Sequence, residues 1–248
     1  MLENRTALIT GGGKGIGAAT AAALSRAGAK VIIADLDISL ANATAASISA
    51  DGGHASAYQL DVANREAIAE MAIVLAANHD PISILVNNAG IVGGLPIDDP
   101  KVMESWDREI AVNLTGVVVV TRAFLKPLRE TKGTVVNLAS VASFQAVTGG
   151  LGYQASKAGV KILTQTLARE LGKDGVRVNA VAPGIIQTDM SAAVIANPTW
   201  LATQLSRIPL ERVGTATDVA DSIVFLCSDK SRYLTGVILP VDGGFLAV

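Results

Sequence analysis

TALITGGGKGIGAATAAALSRAGAKVIIAD, residues 6–35, decides the fold. ALIT is apolar throughout, as a strand covered on both faces must be. A glycine-rich loop follows, then an Ala-rich stretch with helical spacing, then a second apolar strand, VIIA, ending in an acid. Strand, loop, helix, parallel strand is a right-handed crossover unit. Gly11, Gly15 and Gly17 let the backbone turn tightly, approach a pyrophosphate and pack the next helix closely. Gly13, Lys14 and Ile16 complete the loop. Its spacing is G-x-x-x-G-x-G. A glycine-rich turn can exist without a ligand, but one between the first strand and first helix of a parallel sheet points to a dinucleotide.

The same alternation runs outward to the end of the chain. Strands are expected at 6–10, 30–34, 54–59, 83–87, 133–137, 176–181 and 237–241. Helices are expected at 16–27, 38–50, 65–77, 153–171 and 218–228, with two more around 101–129. This pattern predicts an α/β fold, a Rossmann-type doubly wound parallel sheet of about seven strands with helices on both faces. No linker-like shift, repeat or low-complexity stretch divides residues 1–248, so one dinucleotide-binding and catalytic domain is expected. Residues 184–209 break the pattern and lack a clean period, which marks them as a candidate substrate lid.

Composition excludes several functions. The chain has 248 residues, 50% of them hydrophobic and 17% charged, which argues for a large core and against disorder. A net charge of −2 provides no footprint for nucleic acid, and no apolar run is long enough for a membrane helix. The opening MLENRTALIT is charged and polar before its strand, so no signal peptide is expected. One cysteine, Cys227, fits a reducing cytoplasm. With only His54 and His79 besides, no metal site of thiolate and imidazole ligands is expected.

An acid at the end of the second strand can hydrogen-bond both ribose hydroxyls of NAD and opposes a 2′-phosphate. Asp35, with Leu36 beside it, occupies that place. Lys14 favours the phosphate, but a lysine there can also point to solvent. NAD(H) is therefore expected over NADP(H). Asp61 and Val62 end the third strand, where they can hold adenine or cap the next helix. Asn88, Ala89 and Gly90 lie in NNAG at the edge of the fourth strand, where ligands approach open α/β sheets. Ser140 ends the fifth strand. Tyr153 and Lys157, in YQASK, lie one turn apart on one helix face.

With Asn113 in IAVNLTG, Pro183-Gly184, Thr188 and the closing DGG at 242–244, these motifs resemble the short-chain dehydrogenase/reductase family, in its shorter single-domain branch. The resemblance runs from Thr6 to Gly244. It implies that Tyr153 is the general acid/base and that Ser140 hydrogen-bonds the substrate oxygen. It implies that Lys157 binds the nicotinamide ribose and lowers the tyrosine pKa, and that Asn113 holds a relay water. Thr188 would meet the nicotinamide carboxamide and Ile186 its ring. A free phenol, with a pKa of about 10, is a poor base at neutral pH, so nearby positive charge would matter.

The expected reaction interconverts a secondary alcohol and a ketone. Ser140, Ala142, Gln145, Gly150, Tyr153 and Met190 are the expected substrate contacts. No Lys or Arg occurs between Gly184 and Ser206, which favours an uncharged substrate with an apolar substituent. A 3-oxoacyl carrier-protein reductase is the alternative, with Arg122, Arg129 and Arg169 available to an acidic carrier. A sugar or polyol dehydrogenase is a third reading, and an NAD-binding regulator without turnover a fourth. The resemblance also implies a homotetramer or dimer, and the apolar tail FLAV (245–248) fits burial in its interface.

Overall fold

The structure, a computed structural model, describes residues 1–147 and 149–248. Seven parallel strands form one sheet: β1 (Thr6–Thr10), β2 (Lys30–Asp35), β3 (Ala55–Gln59), β4 (Ile84–Asn87), β5 (Thr134–Leu138), β6 (Arg177–Pro183) and β7 (Ile238–Val241). Their order is β3-β2-β1-β4-β5-β6-β7. The chain winds one way from β1 to β3, then returns to lay β4 on the other side of β1. That reversal opens a crevice at the carboxyl ends of β1 and β4.

The helices are α1 (Gly15–Arg26), α2 (Ile38–Ala50), α3 (Arg65–Asn78), α4 (Val102–Ile110), α5 (Gly116–Ala123), α6 (Leu125–Glu130), α7 (Leu151–Leu171), α8 (Asp189–Ile195), α9 (Pro198–Leu205) and α10 (Ala216–Cys227). Alternate residues of each strand face opposite layers. In β1, Ala7 and Ile9 join Leu24 of α1, Ile48 of α2 and Ile223 of α10. Leu8 joins Ile68 of α3, Leu128 of α6 and Leu171 of α7. Burial of each such Leu or Ile contributes about 1.5–3 kcal/mol relative to exposure.

One expectation is sharpened and one needs correction. The helical stretch around 101–129 divides into two runs, as expected. A π-helical turn, Ala111–Thr115, carries α4 straight into α5, and the break falls at Phe124, before α6. Residues 184–209 contain two short helices rather than irregular chain. Thr188 and Ser191 form a reciprocal cap on α8, and Asn197 caps α9 with Pro198 in its first turn. Both signals are visible in the sequence, but the helices are too short to show a period.

A polar ladder crosses the core beneath the crevice. The Asn87 Nδ2 donates to Thr121 Oγ1 at 3.0 Å and to Asn137 Oδ1 at 2.8 Å. Asn137 Nδ2 donates to Thr164 Oγ1 at 3.0 Å. These buried bonds pin α5 and α7 to β4 and β5. Among the described residues no helix is long and apolar enough to cross a membrane.

Candidate active site

The glycine loop leaves β1 with Gly11 at φ +61° and Gly15 at φ +56°, conformations that favour glycine. At Gly17 a Cβ would stand 2.1 Å from the Gly11 carbonyl oxygen. Only glycine lets α1 start this close to the loop. Lys14, the residue before α1, offers its helix no side-chain cap. The first N–H groups of α1 thus face the loop without a side-chain acceptor, a ready anion site. Thr10 Oγ1 accepts from the backbone of Asn88 (3.1 Å) and Ala89 (3.2 Å), and Asn88 Nδ2 donates to Gly11 O at 2.7 Å. The loop and NNAG are thereby one rigid piece. Thr10 was not singled out from sequence.

Asp35 is half-buried at the end of β2. Its Oδ2 accepts from Gly13 N at 2.8 Å and its Oδ1 from Asp37 N at 3.0 Å. Each oxygen keeps a further lone pair for a hydroxyl. Leu36 is exposed beside it. Lys14 reaches the other way, to Asp189 at the start of α8, 3.3 Å from its carboxylate. Asp61 accepts from Ala63 N at 2.8 Å, while Asn64 caps α3. Val62 is buried beside Gly116, where a Cβ would lie 2.9 Å from the Val62 carbonyl oxygen. This cradle of unclaimed N–H donors and glycines fits a nicotinamide dinucleotide.

Four residues meet at the carboxyl ends of β4 and β5. Ser140 follows β5 and starts a 3-10 turn, Val141–Ser143, which places Ala142 in the buried floor. Ser140 Oγ accepts from Ala142 N at 3.1 Å, leaving its proton free for another acceptor. Ser143 Oγ donates to the Lys157 carbonyl oxygen at 2.7 Å, tying the turn to α7. The Ser140-x-x-Ser143 spacing is a capping-box pattern that sequence reading passed over. Lys157 is buried, and its Nζ donates to Leu138 O at 2.7 Å. Burial pulls its pKa down to about 8.

Tyr153 lies one turn before Lys157, with Nζ 5.8 Å from its ring centroid. In the protein alone its pKa is pushed up rather than down: burial is the main cause, Ser140 opposes it, and the charge of Glu109 adds to it. The lowering expected from Lys157 is not seen here: Ser140 alone favours the phenolate, and burial outweighs it. Asn113 sits in the π turn, fully buried. Its Nδ2 donates to Ile91 O (2.9 Å) and Ser156 Oγ (3.2 Å), and its Oδ1 accepts from Ile91 N (2.8 Å). Both amide protons are used, so the side chain first holds the loop after β4. A Cβ on Gly90 would lie 3.3 Å from Asn113 Oδ1 and 3.5 Å from Lys157 Nζ, which makes Gly90 the gap through which these groups converge.

Pro183 ends β6, and Gly184 packs on Asp242 so closely that a Cβ would stand 2.9 Å from the Asp242 Cα. Ile186 is buried and bridges to Gly214; Thr188 is half-buried, with its Cβ and Cγ2 toward Gly15. Gly150 meets the backbone of Gly94, and Gly149 meets the Tyr153 ring. Met190 is 54% exposed on α8. The Nε2 of Gln145 is buried and finds no acceptor among the described residues. In the tail, Phe245 is buried within its own chain against Val141 and Ile208, so it is not free for an interface.

Comparison with known proteins agrees with this geometry. The family model described as enoyl-(acyl carrier protein) reductase matches residues 11–246. A 3-oxoacyl-[acyl-carrier-protein] reductase of Synechocystis sp. is 41% identical over 99% of this chain and 98% of its own. A cyclopentanol dehydrogenase of Comamonas sp. is 34% identical, over 99% of this chain and 98% of its own. The crystal structure of a gluconate 5-dehydrogenase from Burkholderia cenocepacia, in complex with NADP and tartrate, superposes with a TM-score of 0.94 at 32% identity, covering 100% of this chain and 97% of that one. End-to-end likeness to these relatives, on a sheet that gathers a glycine cradle and a Ser–Tyr–Lys set, makes this chain an oxidoreductase of the short-chain dehydrogenase/reductase family, acting on CH–OH groups.

Proposed function

We propose that the protein interconverts a neutral secondary alcohol and its ketone with NAD(H) in preference to NADP(H). The grouping of Ser140 and Lys157 about Tyr153 carries this reading. Gly11, Gly13, Gly15 and Gly17 with the N-terminus of α1 would hold the pyrophosphate. Asp35 would accept from the adenosine ribose hydroxyls, and Lys157 would donate to the nicotinamide ribose. Ile186 and Thr188 would line the nicotinamide end. When bound, the cofactor supplies the hydride donor or acceptor.

The chain's own residues handle the proton and the substrate oxygen. Ser140 Oγ–H donates to that oxygen, and Tyr153 Oη gives or takes its proton. Lys157, whose pKa burial lowers to about 8, would take the next place in the proton path. Asn113 keeps the loop at Ile91 in place around them. Gln145 Nε2 supplies one neutral donor for a substrate acceptor, and Met190 and Val194 offer apolar surface from α8.

The preference for NAD(H) rests on Asp35, whose carboxylate is fixed by two backbone N–H groups and repels a 2′-phosphate. Lys14, paired with Asp189, is turned away from that role. The NADP in the Burkholderia gluconate 5-dehydrogenase weighs on the other side. A specific observation also favours a second reading, reduction of 3-oxoacyl thioesters. Arg122, Arg129 and Arg169 line one groove on α5, α6 and α7, and the Synechocystis relative bears that activity in its name. The same faces leave Val118 and Ile162 exposed, which supports a homotetramer or dimer built on them.

Turnover on ketones, secondary alcohols, polyols and oxoacyl thioesters with both cofactors tests the proposal. A ketone or alcohol is expected to be turned over with higher kcat/KM for NAD(H). Equal or better turnover with NADP(H) removes the cofactor reading, and oxoacyl thioesters alone would establish the second reading. NADH binding without turnover on any of them would mark a regulator.

A further inference from the structure

Glu109 is the one buried carboxylate among the described residues, 2% exposed, and none of the roles above uses it. It lies on α4 one turn before Asn113, on the same face. Its Oε1 accepts from Gly93 N at 2.7 Å, while Ser105 Oγ stands 3.5 Å from its Oε2. On its far side is the start of α7. A Cβ on Gly152 would meet Glu109 Oε2 at 2.6 Å and the Trp106 Cα at 3.0 Å. Gly152, the residue before Tyr153, is therefore what lets the carboxylate reach the helix.

Two further contacts close the ring. Gly150 rests on the backbone of Gly94, where a Cβ would lie 3.0 Å from the Gly94 Cα and N. Gly149 rests on Tyr153, where a Cβ would lie 3.0 Å from the ring. Two glycine pairs thus pack backbone to backbone over the phenol, and Glu109 fastens one of them. The helix end also needs an acid. Gly150 gives α7 no side-chain cap, and no acidic residue occurs in its first turn. A carboxylate from α4 at that position complements the helix dipole.

We infer that Glu109 is a positioning residue of the Tyr153 site: its carboxylate joins the Gly93–Gly94 turn to the start of α7 and sets both the seat and the electrostatic surroundings of the phenol. This rests on the proposed role of Tyr153. The charged groups facing the phenol are Glu109 from α4 and Lys157 from α7. Residues 91–95 and 140–145 contain none, and Asp107 and Arg108 are exposed. Behind burial, the charge of Glu109 is the second influence that pushes the phenol up.

The test titrates Tyr153 directly, by phenolate absorbance of NAD⁺-saturated protein across pH, with Tyr153→Phe in each background as the blank. In Glu109→Gln the midpoint is expected to fall by about half a pH unit or more, as loss of a nearby negative charge favours the phenolate. Amide exchange at Gly93 should stay slow, because the glutamine oxygen still accepts. Glu109→Ala should lower the midpoint too, and speed exchange at Gly93 at least tenfold. A folded Glu109→Gln with the wild-type midpoint overturns the inference, as does a folded Glu109→Ala with unchanged exchange. Either variant decides alone if the other fails to fold. Tyr153→Phe that keeps turnover would strike the proposed function instead, leaving this titration standing.

Discussion

The cofactor cradle and residues 184–209, the proposed lid, are built on different principles. In the cradle, backbone sits against backbone. A Cβ on Gly17 would stand 2.1 Å from the Gly11 carbonyl oxygen, far inside contact distance, and Asn88 and Thr10 bind the loop to the next strand. In the lid, α8 and α9 have no fully buried residue, and Met190 and Val194 face outward. A surface made of main-chain contacts admits one kind of ligand and little variation. A surface made of exposed side chains leaves its partner open. That is why the reaction class follows from the structure while the substrate stands as a proposal.

This contrast can be broken at several points. Gly17→Ala should have the largest effect on the cradle. The added methyl forces the loop and α1 apart, costing about 1–3 kcal/mol of stability and at least a tenfold loss of NADH affinity. Thermal melting and fluorescence titration read both. Normal NADH binding by Gly17→Ala would mean the cradle is less rigid than its contacts indicate.

Lys157 comes next, because it is buried with a cost that depends on pH. Its folded pKa is about 8 against the usual 10.5. Below pH 8 both states carry the charge, and the folded protein bears the whole burial cost. Between 8 and 10.5 the unfolded chain binds more protons, so stability from this group rises with pH. Lys157→Met should therefore melt higher than wild type at pH 7 in the absence of cofactor. The gain is about 1–3 kcal/mol once the lost bond to Leu138 O is set against it. It should shrink steadily as pH passes from 8 to 10.5. A gain independent of pH would show that packing, not charge, separates the two proteins.

The smallest effect belongs to the lid. Met190→Ala should leave stability within about 0.5 kcal/mol and the KM for cofactor unchanged, while shifting the KM for substrate a few-fold. Steady-state kinetics with a turned-over alcohol measure this. An equal shift in cofactor KM would place Met190 in the cradle instead.

The same division explains what the sequence could show. Strand ends at Thr10, Asp35, Asn87 and Ser140 were readable because buried parallel strands are apolar throughout and stop at polar or glycine residues. Gly11, Gly15 and Gly17 were readable because their places favour glycine: a Cβ would clash at Gly11 and Gly17, and Gly15 has a positive φ. The joining of α4 to α5 was not, since a π turn leaves no break in composition. The helices of the lid were hidden by their length, although Thr188, Ser191, Asn197 and Pro198 signalled their starts. Glu109 was hidden for another reason. Its role depends on Gly93 and Gly152, far apart in the chain and brought together only by the packing of α4 on α7.

The central claim is that Tyr153 moves the proton, and Tyr153→Phe tests it most directly. The variant should bind NADH as tightly as wild type, by fluorescence titration, while turnover of any alcohol or ketone that the wild-type protein accepts falls by at least about a hundredfold. Undiminished binding with turnover near the wild-type rate would contradict the account.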